Sequence, residues 1–523
     1  MKGSCMIIIK YTGRVDFEYD IQGLLRTFFP GEPMATDREA EADLILEAEF
    51  YDYFEKIPMV LRLEGKPYTE GDFKRESERT FRREGSFLPG SVPVAEENPE
   101  GDSIIFREDY DRVRKETKNR LKRVLFNLLK EYTGKMPVWG TLSGIRPTKI
   151  TSSYLERGYS EAEAKQRFMR EYYVSEEKAE QCVNISRKEA EILKDIDYKN
   201  GYSLYIGIPF CPSTCLYCSF TSYPLSKYRT KTDAYIEALG RELEYIAEAC
   251  ADREPDTIYI GGGTPTTLEP YQLDSLLGII HELFNTKAVS EFTVEAGRPD
   301  SITQEKLKVL GTYDVSRISI NPQTMNQKTL DIIGRHHTVE DFLRAYDMAR
   351  TNGFENINMD FILGLPDETE EDVRRSMEWV ERLKPDSLTI HSLALKRAAR
   401  LNILKEQYKQ YTIENSDEIM EITRQTAKKL DLTPYYLYRQ KNMAGNLENI
   451  GYAKDGKAGI YNILIMEEKQ TILAAGAGSS TKMVHPDGMK ITRIENVKDV
   501  DLYISDIDKM IERKRSFFEK TER

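Results

Sequence analysis

The stretch SLYIGIPFCPSTCLYCSF, residues 203–220, joins an apolar segment to three closely spaced cysteines. The apolar part has the length of a buried β-strand, and two prolines favour a loop after it. Cys211, Cys215 and Cys218 lie in this loop, which can turn three thiol groups towards one centre. Half of the chain's six cysteines are therefore gathered just after one predicted strand.

The same pattern, a short apolar segment followed by a longer amphipathic one, repeats from residue 200 to residue 400. Six segments are predicted strands, namely SLYIGIPF, DTIYIGGG, EFTVEA, SRISINPQ, NINMDFILGLP and DSLTIHSLAL. Helices are predicted between them at Thr232 to Cys250, Tyr271 to Phe284, Thr303 to Leu310, Val339 to Asn352 and Glu370 to Leu383. Repeated β-α units imply a parallel sheet, open or closed into a barrel, with function at the carboxyl ends of its strands.

Residues before 200 predict a separate, small α/β unit. Strands are expected in MIIIKYTGRVDF, ADLILEAEF and PMVLRLEG, and a long helix in REDYDRVRKETKNRLKRVLFNLLKEYTG, ending at Gly134. The polar stretch 68–103 is predicted to be a long loop or an irregular insertion. Shorter helices fill 160–197, with two candidate capping boxes, Ser160-Glu163 and Ser186-Glu189. We expect domains at 1–195, 196–400 and 401–523.

Composition and charge exclude several classes of protein. The chain has 523 residues, 40% hydrophobic and 31% charged, as in a multidomain globular protein. Its formal net charge of −12 gives no reason to expect nucleic acid or an anionic membrane as a partner. The first apolar run is too short for a signal peptide, and no stretch is long enough to span a bilayer. We expect a cytoplasmic monomer with reduced thiols.

The cysteine group itself predicts a metal or catalytic site and not a disulfide framework. A structural zinc site normally has a fourth Cys or His at comparable spacing. Cys250 lies at the end of a predicted helix, and no histidine occurs before His281. Three ligands without a fourth suggest a [4Fe–4S] cluster with one open iron. A zinc site closed by a distant ligand, or a set of buried structural thiols, remains the alternative.

The CxxxCxxC spacing, with the aromatic Tyr217 before the last cysteine, resembles the signature of radical S-adenosylmethionine (SAM) enzymes. The resemblance implies an α/β fold, a partial (β/α)6 barrel with a small N-terminal α/β domain plus helices and a C-terminal α+β extension. It also implies that the open iron binds the amino and carboxylate groups of SAM. Electron transfer from the cluster then cleaves a C–S bond and gives a 5′-deoxyadenosyl radical.

Further motifs narrow the resemblance. LYIGIPFC, GGGTPT, INPQTM, GRHHT, NMDFILGLP and GAGSS, over about residues 200–490, resemble the oxygen-independent coproporphyrinogen III oxidase (dehydrogenase) family. PVWGTLSGIRPTKI and YRQKNMAGNLENIGYA are most similar to its HemZ-type branch. By this resemblance the cluster ligands are Cys211, Cys215 and Cys218. The SAM-contacting positions are Tyr205, Tyr217, Gly262, Gly263, Thr264, Glu295, Gln323, Arg335, Asp360 and Ala394.

Several of these positions also have a physical interpretation. A run of three glycines after DTIYI lets backbone groups approach a ligand closely, although a tight turn alone would need the same residues. Glu295 ends a strand, where its carboxylate can accept from ribose hydroxyls. Asp360 lies inside an apolar strand, and a carboxylate there is costly to bury without a partner. A functional role for Asp360 is therefore favoured over a structural one.

The resemblance implies a tetrapyrrole substrate and two SAM molecules. The family's oxidases convert two propionates of coproporphyrinogen III to vinyl groups, with a reducing electron donor of flavodoxin or ferredoxin type. A substrate with four carboxylates calls for cationic side chains at the rim of its site. The candidates are Lys396, Arg397, Arg400, Arg439 and Lys441.

Two positions depart from the well-studied oxidases of the family. Gly207 stands where they have a histidine, and Phe220 stands where they have another cysteine. Phe220 and the GRHHT stretch resemble instead the HemW haem chaperones. A haem carrier is therefore a second hypothesis, with candidate axial ligands His336, His337, His391 and His485. A radical SAM enzyme acting on a related tetrapyrrole is a third.

Overall fold

The structure is a computed structural model. It describes residues 6–13, 16–36, 42–50, 59–66, 68–69, 72–73, 81–87, 107–144, 146–394, 399–403, 408, 410–440, 443–485 and 490–521. The chain forms two compact units, Met1–Gly144 with Ile150–Val183 and Ile145–Lys149 with Asn184–Arg523. No helix in the described part of the chain is long and apolar enough to cross a bilayer.

The first unit contains a five-stranded sheet with the strand order β2-β1-β3-β4-β7. Its strands are β1 (Ile7–Gly13), β2 (Met34–Thr36), β3 (Leu44–Phe50), β4 (Met59–Gly65) and β7 (Phe81–Phe87), and β5 (Tyr68–Thr69) and β6 (Asp72–Phe73) form a separate short hairpin. Its helices are α1 (Glu18–Phe28), α2 (Arg107–Thr133) and α4 (Glu161–Tyr172), while α3 (Pro147–Glu156) and α5 (Glu176–Ile192) each contain residues of both units. Strand β3 alternates buried and half-buried residues, and its buried side pairs with α1 and α2 in one apolar core.

Two predictions for this part of the chain are wrong. Within the expected loop 68–103, Phe81–Phe87 forms a strand that pairs antiparallel with β4 along its whole length. Tertiary pairing therefore outweighs the polar local composition, and Arg62 of β4 bonds Glu84 of β7 at 2.7 Å. The remaining positions of that stretch, apart from β5 and β6, lie outside the described residues.

The two candidate capping boxes have opposite outcomes. Ser160 and Glu163 form a capping box at the start of α4, as predicted. The box predicted at Ser186 is wrong, because α5 continues through it. The Ser186 hydroxyl instead donates to the Thr148 carbonyl at 3.2 Å. This contact joins α5 to α3 across 38 residues of sequence, so sequence spacing alone could not distinguish it from a helix cap.

The second unit is built on an eleven-stranded sheet with the strand order β16-β17-β15-β14-β13-β12-β11-β8-β18-β19-β20. Its central strands are β8 (Tyr202–Ile208), β11 (Pro255–Gly262), β12 (Glu291–Glu295), β13 (Arg317–Ser319), β14 (Ile357–Leu363) and β15 (Ser387–Ser392). The helices between them include α7 (Thr232–Ala249), α8 (Pro270–Leu283), α9 (Gln304–Thr312), α11 (Val339–Thr351) and α12 (Glu370–Leu383). Two short strands, β9 (Phe210–Cys211) and β10 (Tyr223–Pro224), and two short helices, α6 (Leu225–Tyr228) and α10 (Gln327–Ile332), complete this region.

These six central strands pair in chain order, and every pair is parallel. All six strand predictions and the five helix predictions between them are confirmed. Six consecutive parallel strands with connecting helices form the predicted partial (β/α)6 barrel. The carboxyl ends of the strands therefore meet at one end of the barrel, where the predicted site residues lie.

Residues after 400 add strands to both edges of this parallel core. Strand β17 (Asn449–Ala453) pairs antiparallel with β15, and β16 (Thr433–Tyr438) pairs with β17. Strand β18 (Thr471–Ala475) pairs parallel with β8, and β19 (Ser480–Val484) and β20 (Ile491–Glu495) follow. The helices here are α13 (Arg400–Ile403), α14 (Asp417–Lys429), α15 (Ile460–Glu467), α16 (Val500–Ser505) and α17 (Ile507–Thr521). A division into three domains stays a prediction.

The barrel strands carry polar side chains on one face and apolar side chains on the other. Parallel register places Tyr205 beside Tyr259 and Glu295 beside Ser319. The intervening residues, such as Leu204 and Ile258, are fully buried and apolar. Successive side chains of a strand point to opposite faces, so one face packs on the helices while the other lines the barrel interior.

Candidate functional site

The three clustered cysteines lie on the loop that leaves β8. Strand β9, which contains Cys211, pairs with β10, and the Leu216 amide donates to the Ile333 carbonyl at 2.9 Å. The Cys218 amide donates to the Cys215 carbonyl at 3.2 Å. Burial, together with the neighbouring Cys215 and Cys218 thiols, raises the pKa of the Cys211 thiol to about 11, although the Thr264 hydrogen bond lowers it. The thiols are therefore close enough to interact, and none of the five described cysteines forms a disulfide.

The glycine-rich turn after β11 packs directly against this loop. The Gly263 amide donates to the Ile208 carbonyl at 2.7 Å, and the Thr264 hydroxyl donates to the Cys211 sulfur at 3.6 Å. A Cβ atom on Gly263 would lie 2.5 Å from the Phe210 carbonyl oxygen and 3.0 Å from the Cys211 sulfur. No side chain fits this position, so the turn needs glycine for close approach and not only for a bend.

Glu295 lies at the carboxyl end of β12 above a stack of tyrosine rings. Tyr205, Tyr259 and Tyr461 lie nearly parallel, with ring centroids 4.4 Å apart for Tyr259 and Tyr461. The Tyr259 hydroxyl donates to the Glu295 carboxylate at 2.5 Å. Burial raises the pKa of Glu295 to about 7, and the Tyr259 hydrogen bond only partly offsets that rise. Glu295 is therefore a hydrogen-bonding carboxyl group that titrates near neutral pH.

Asp360 is half-buried, with 21% of its side chain exposed, and remains ionised. Burial raises the pKa of Asp360, but hydrogen bonds and charge from His391, together with bonds from Asn358 and Thr389, outweigh burial and hold the pKa below its usual value. Asn358 donates to the carboxylate at 2.6 Å, and the His391 Nε2 lies 3.9 Å from it. This partnership explains how a carboxylate is tolerated in an apolar strand.

Gln323 and Arg335 are held by the same group of loops. The backbone amide of Gln323 donates to the Asp360 backbone carbonyl at 2.9 Å, and Gln323 has a left-handed φ of +67°. The Arg335 guanidinium donates to the carbonyls of Asn321 and Gly297, each at 2.7 Å. Both side chains are buried, and the Gln323 Oε1 and the Arg335 Nε have no hydrogen-bond partner among the described residues. Each retains one buried polar atom able to bind a ligand.

The two remaining predicted SAM contacts lie at the edge of this region. Tyr217 packs against an apolar cluster that contains Leu216, Leu330 and Leu401. Ala394 follows β15 and forms an isolated bridge with Met443. The structure thus brings the predicted residues of six strand ends to one end of the barrel. Their roles as SAM contacts stay predictions.

Iron–sulfur and SAM binding can be judged from the residues present. In the described ranges, no three His, Cys, Asp or Glu side chains are arranged around a single metal ion. A [4Fe–4S] cluster makes no such demand, since its thiolate ligands bind different irons. These residues fit a cluster with a polar ligand beside it. They provide three adjacent thiols, a glycine turn against Cys211 and two buried polar atoms without a hydrogen-bond partner among the described residues.

Sequence reasoning missed Arg298, which lies three residues after the end of β12. Its side chain is 3% exposed, and its Nη1 donates to the Cys215 sulfur at 3.5 Å. The position could have been noticed because, like Glu295, it follows a barrel strand at the carboxyl end. An arginine in a Gly-Arg-Pro turn carries no recognised pattern, however, and its contact spans 83 residues of sequence.

The candidate substrate-binding residues are only partly described. Arg400 is exposed at the start of α13. Arg439 is buried and donates to the Asn446 carbonyl at 2.9 Å, so a structural contact already engages it. Lys396, Arg397 and Lys441 lie outside the described residues.

The four candidate haem ligands occupy different surroundings. His337 is 1% exposed, and burial lowers its pKa to about 3. His391 lies beside Asp360, and His485 bonds Thr492 at 2.9 Å. His336 is exposed. An axial ligand must be reachable by a large planar group, and His337 meets that requirement least.

Comparisons with known proteins agree with this geometry. Residues 205–380 match the model of the Radical SAM superfamily. The oxygen-independent coproporphyrinogen-III oxidase-like protein HemZ from Bacillus subtilis is 41% identical over 415 residues, covering 78% of this chain and 83% of HemZ. The chain belongs to the HemN/HemZ-type radical SAM family. Its cofactors are therefore a [4Fe–4S] cluster and SAM.

Two further relatives of this radical SAM protein carry different names. The heme chaperone HemW from Bacillus subtilis is 38% identical over 192 residues, which cover 36% of this chain and 50% of HemW. The solved structure of coproporphyrinogen III oxidase (HemN) from Escherichia coli is 21% identical, with a TM-score of 0.48. The match covers 62% of this chain and 73% of the HemN chain. The curated relatives of this chain thus include one named as oxidase-like and one named as a chaperone.

Proposed function

We propose that this protein is an oxygen-independent coproporphyrinogen III dehydrogenase of porphyrin and haem biosynthesis. The structural observation that carries the proposal is the gathering of three cysteine thiols, Glu295 and Asp360 at one end of a six-stranded parallel barrel. The 41% identity to a protein named as coproporphyrinogen oxidase-like supports the choice of substrate.

When bound, the reduced cluster and SAM supply a carbon-centred radical that abstracts a hydrogen atom from the substrate. For each propionate, loss of this hydrogen from the carbon next to the pyrrole, release of CO2 and loss of one electron leave a vinyl group. Two propionates require two such reactions and give protoporphyrinogen IX. An electron donor of flavodoxin or ferredoxin type reduces the cluster, and an acceptor takes the electron released from the substrate.

The residues of this chain would bind and orient the cluster and SAM. Cys211, Cys215 and Cys218 would hold the cluster. The ionised carboxylate of Asp360, and that of Glu295 above its pKa of about 7, are acceptors only, so they would accept from hydroxyl or ammonium groups of SAM. The Gly262–Gly263 turn, the Gln323 Oε1 and the Arg335 Nε would complete the contacts.

We further propose that the protein acts as a monomer in the cytoplasm. The cluster ligands must stay reduced until iron is loaded, and cytoplasmic thiols are kept reduced.

A haem chaperone is the second candidate function, supported by the 38% identity to HemW over 192 residues. Phe220, the residue that departs from the oxidase pattern, is 69% exposed two positions after Cys218. It therefore takes no part in an apolar core that would explain it structurally.

One anaerobic experiment distinguishes the two functions. The reconstituted protein is incubated with SAM, a chemical reductant and coproporphyrinogen III, and the products are separated by chromatography. The proposal expects protoporphyrinogen IX together with 5′-deoxyadenosine. The variant Cys215→Ala is the control and should lose both products and the electron paramagnetic resonance (EPR) signal of the reduced cluster. An unchanged EPR signal in this variant would refute the three-ligand assignment.

The opposite result is equally specific. Absence of vinyl product, with one haem retained per chain after gel filtration, would reject the oxidase and favour the chaperone. Cleavage of SAM without any change in coproporphyrinogen III would instead point to a related tetrapyrrole. Wild type and Cys215→Ala should be compared in each assay at equal protein concentration.

A further inference from the structure

We propose that Arg298 is a positioning residue that sets the reduction potential of the cluster through the Cys215 sulfur. This role of Arg298 concerns the [4Fe–4S] cluster of the chain. It requires the cluster but does not depend on which tetrapyrrole the protein uses.

The Arg298 guanidinium directly contacts the Cys215 sulfur. The Arg298 Nη1 donates to the Cys215 sulfur at 3.5 Å, and both residues are buried, at 3% and 9% exposed. A guanidinium group is always charged and is a stronger donor than a neutral amide. The contact brings a full positive charge to the Cys215 thiol.

Other contacts fix the guanidinium in this place. The Arg298 Nε and Nη2 donate to the two carboxylate oxygens of Asp300 at 3.0 and 2.8 Å. Ser213, on the cysteine loop, accepts from the same guanidinium at 3.2 Å through its hydroxyl. The planar fork of arginine suits this paired geometry, so the charge cannot turn away from the sulfur without breaking several bonds.

The backbone at Arg298 is fixed as well. Its carbonyl accepts from the Ser301 amide at 2.9 Å and from the Ser301 hydroxyl at 2.7 Å. The Ser301 hydroxyl in turn bonds the Thr266 hydroxyl at 2.7 Å, in the loop after the glycine turn. Arg298 is thus tied both to the cysteine loop and to the glycine-rich region.

A positive charge on a cluster ligand has a predictable effect. Adding an electron makes the cluster more negative, and a cation bonded to a ligand sulfur stabilises that reduced form. Arg298 should therefore make the cluster easier to reduce. The Asp300 carboxylate lies on the far side of the same guanidinium and partly cancels its field, so it should act in the opposite direction.

The experiment is a potentiometric titration of the reconstituted protein without SAM or substrate, followed by EPR of the reduced cluster. At the potential that reduces half of the wild-type clusters, Arg298→Gln should have about a tenfold lower ratio of reduced to oxidised cluster, equal to about 59 mV for one electron. Asp300→Asn should raise the ratio, and Arg298→Lys, which keeps the charge but loses the fork, should lie between wild type and Arg298→Gln.

The outcomes are separable from simple loss of structure. Iron content and melting temperature are measured for each variant, and the potential is compared among proteins that retain four irons. An unchanged potential in Arg298→Gln overturns the proposal. A shift of the potential in the same direction in Arg298→Gln and Asp300→Asn also overturns the proposal. Loosening of the loop would shift both potentials alike, whereas removal of opposite charges shifts them in opposite directions. No product is measured, so failure here is distinct from failure of the oxidase assignment.

Discussion

The buried ion pair between Lys514 and Glu242 links helix α17 at the end of the chain to helix α7 of the barrel. Lys514 is 1% exposed and Glu242 is fully buried. The Glu242 carboxylate also accepts from the Gly476 amide at 2.9 Å, the Asn496 amide nitrogen at 2.8 Å and the Tyr503 hydroxyl at 2.5 Å. Replacing Lys514 by Met would leave this carboxylate buried with neutral donors only.

The expected loss of stability in Lys514→Met follows from the burial of the ion pair. Removing one partner of a buried ion pair costs about 3–5 kcal/mol, because the desolvated charge left behind has no counter-ion. For a unit of more than 300 residues, about 1.5 °C of melting temperature corresponds to 1 kcal/mol, so Lys514→Met should melt roughly 4–8 °C lower. The double variant Glu242→Gln/Lys514→Met removes both charges and should recover part of the loss.

The same helix offers a matched control. Lys509 pairs with Asp506 at 3.0 Å, but its side chain is 70% exposed. An exposed pair of this kind is worth at most about 1 kcal/mol, so Lys509→Met should melt within about 2 °C of wild type. Thermal unfolding by circular dichroism at pH 7.5 measures both. If Lys514→Met melted like Lys509→Met, the Glu242 carboxylate would not depend on its cation, and the reasoning would be refuted.

Two further predictions concern the site. Gly263→Ala should lower the iron content of the reconstituted protein several-fold, because its Cβ would clash with the Phe210 carbonyl and the Cys211 sulfur; Gly311→Ala, with open space around it, is the control, and equal iron in both would contradict the steric argument. SAM affinity should fall as pH drops below about 7, where Glu295 becomes protonated and loses an acceptor, by about tenfold per pH unit if only the ionised form binds. Equilibrium dialysis between pH 6 and 8 should show this dependence reduced in Glu295→Gln; the same dependence in both proteins would exclude Glu295 as its source.

The barrel was predictable because its strands are short apolar runs with clear ends. SLYIGIPF and NINMDFILGLP end at proline or glycine, and an amphipathic helix follows each of them. Parallel strands in chain order then bring everything after a strand to one end. The site residues Glu295 and Asp360 follow from that rule together with the family resemblance, before any contact is known.

What could not be predicted depends on pairing between distant parts of the chain. The strand Phe81–Phe87 exists because β4 offers it an edge, and its polar sequence gives no sign of this. Arg298 meets Cys215 across 83 residues, and Lys514 meets Glu242 across 272. Side-chain contacts at such separations are set by the packing of several elements, and no local periodicity records them.

The end of the chain is bonded to the cluster loop through one short series of contacts. The Tyr235 hydroxyl donates to the Gly207 carbonyl at 2.6 Å, on the strand that leads to the cysteines, and accepts from the Ala477 amide at 2.9 Å. A Cβ atom at Gly476 would lie 2.4 Å from the same Gly207 carbonyl oxygen.

Glu242, and through it Lys514, holds the Gly476 amide in that position. The GAGSS segment therefore supports β8 at the point where the chain turns towards Cys211. A Cβ atom at position 207 would lie 3.4 Å from the Ala475 carbonyl oxygen and 3.5 Å from the Tyr205 ring, which are ordinary contact distances. The support from the GAGSS segment therefore leaves room for a Cβ atom before the cluster, and packing alone does not require the glycine at 207.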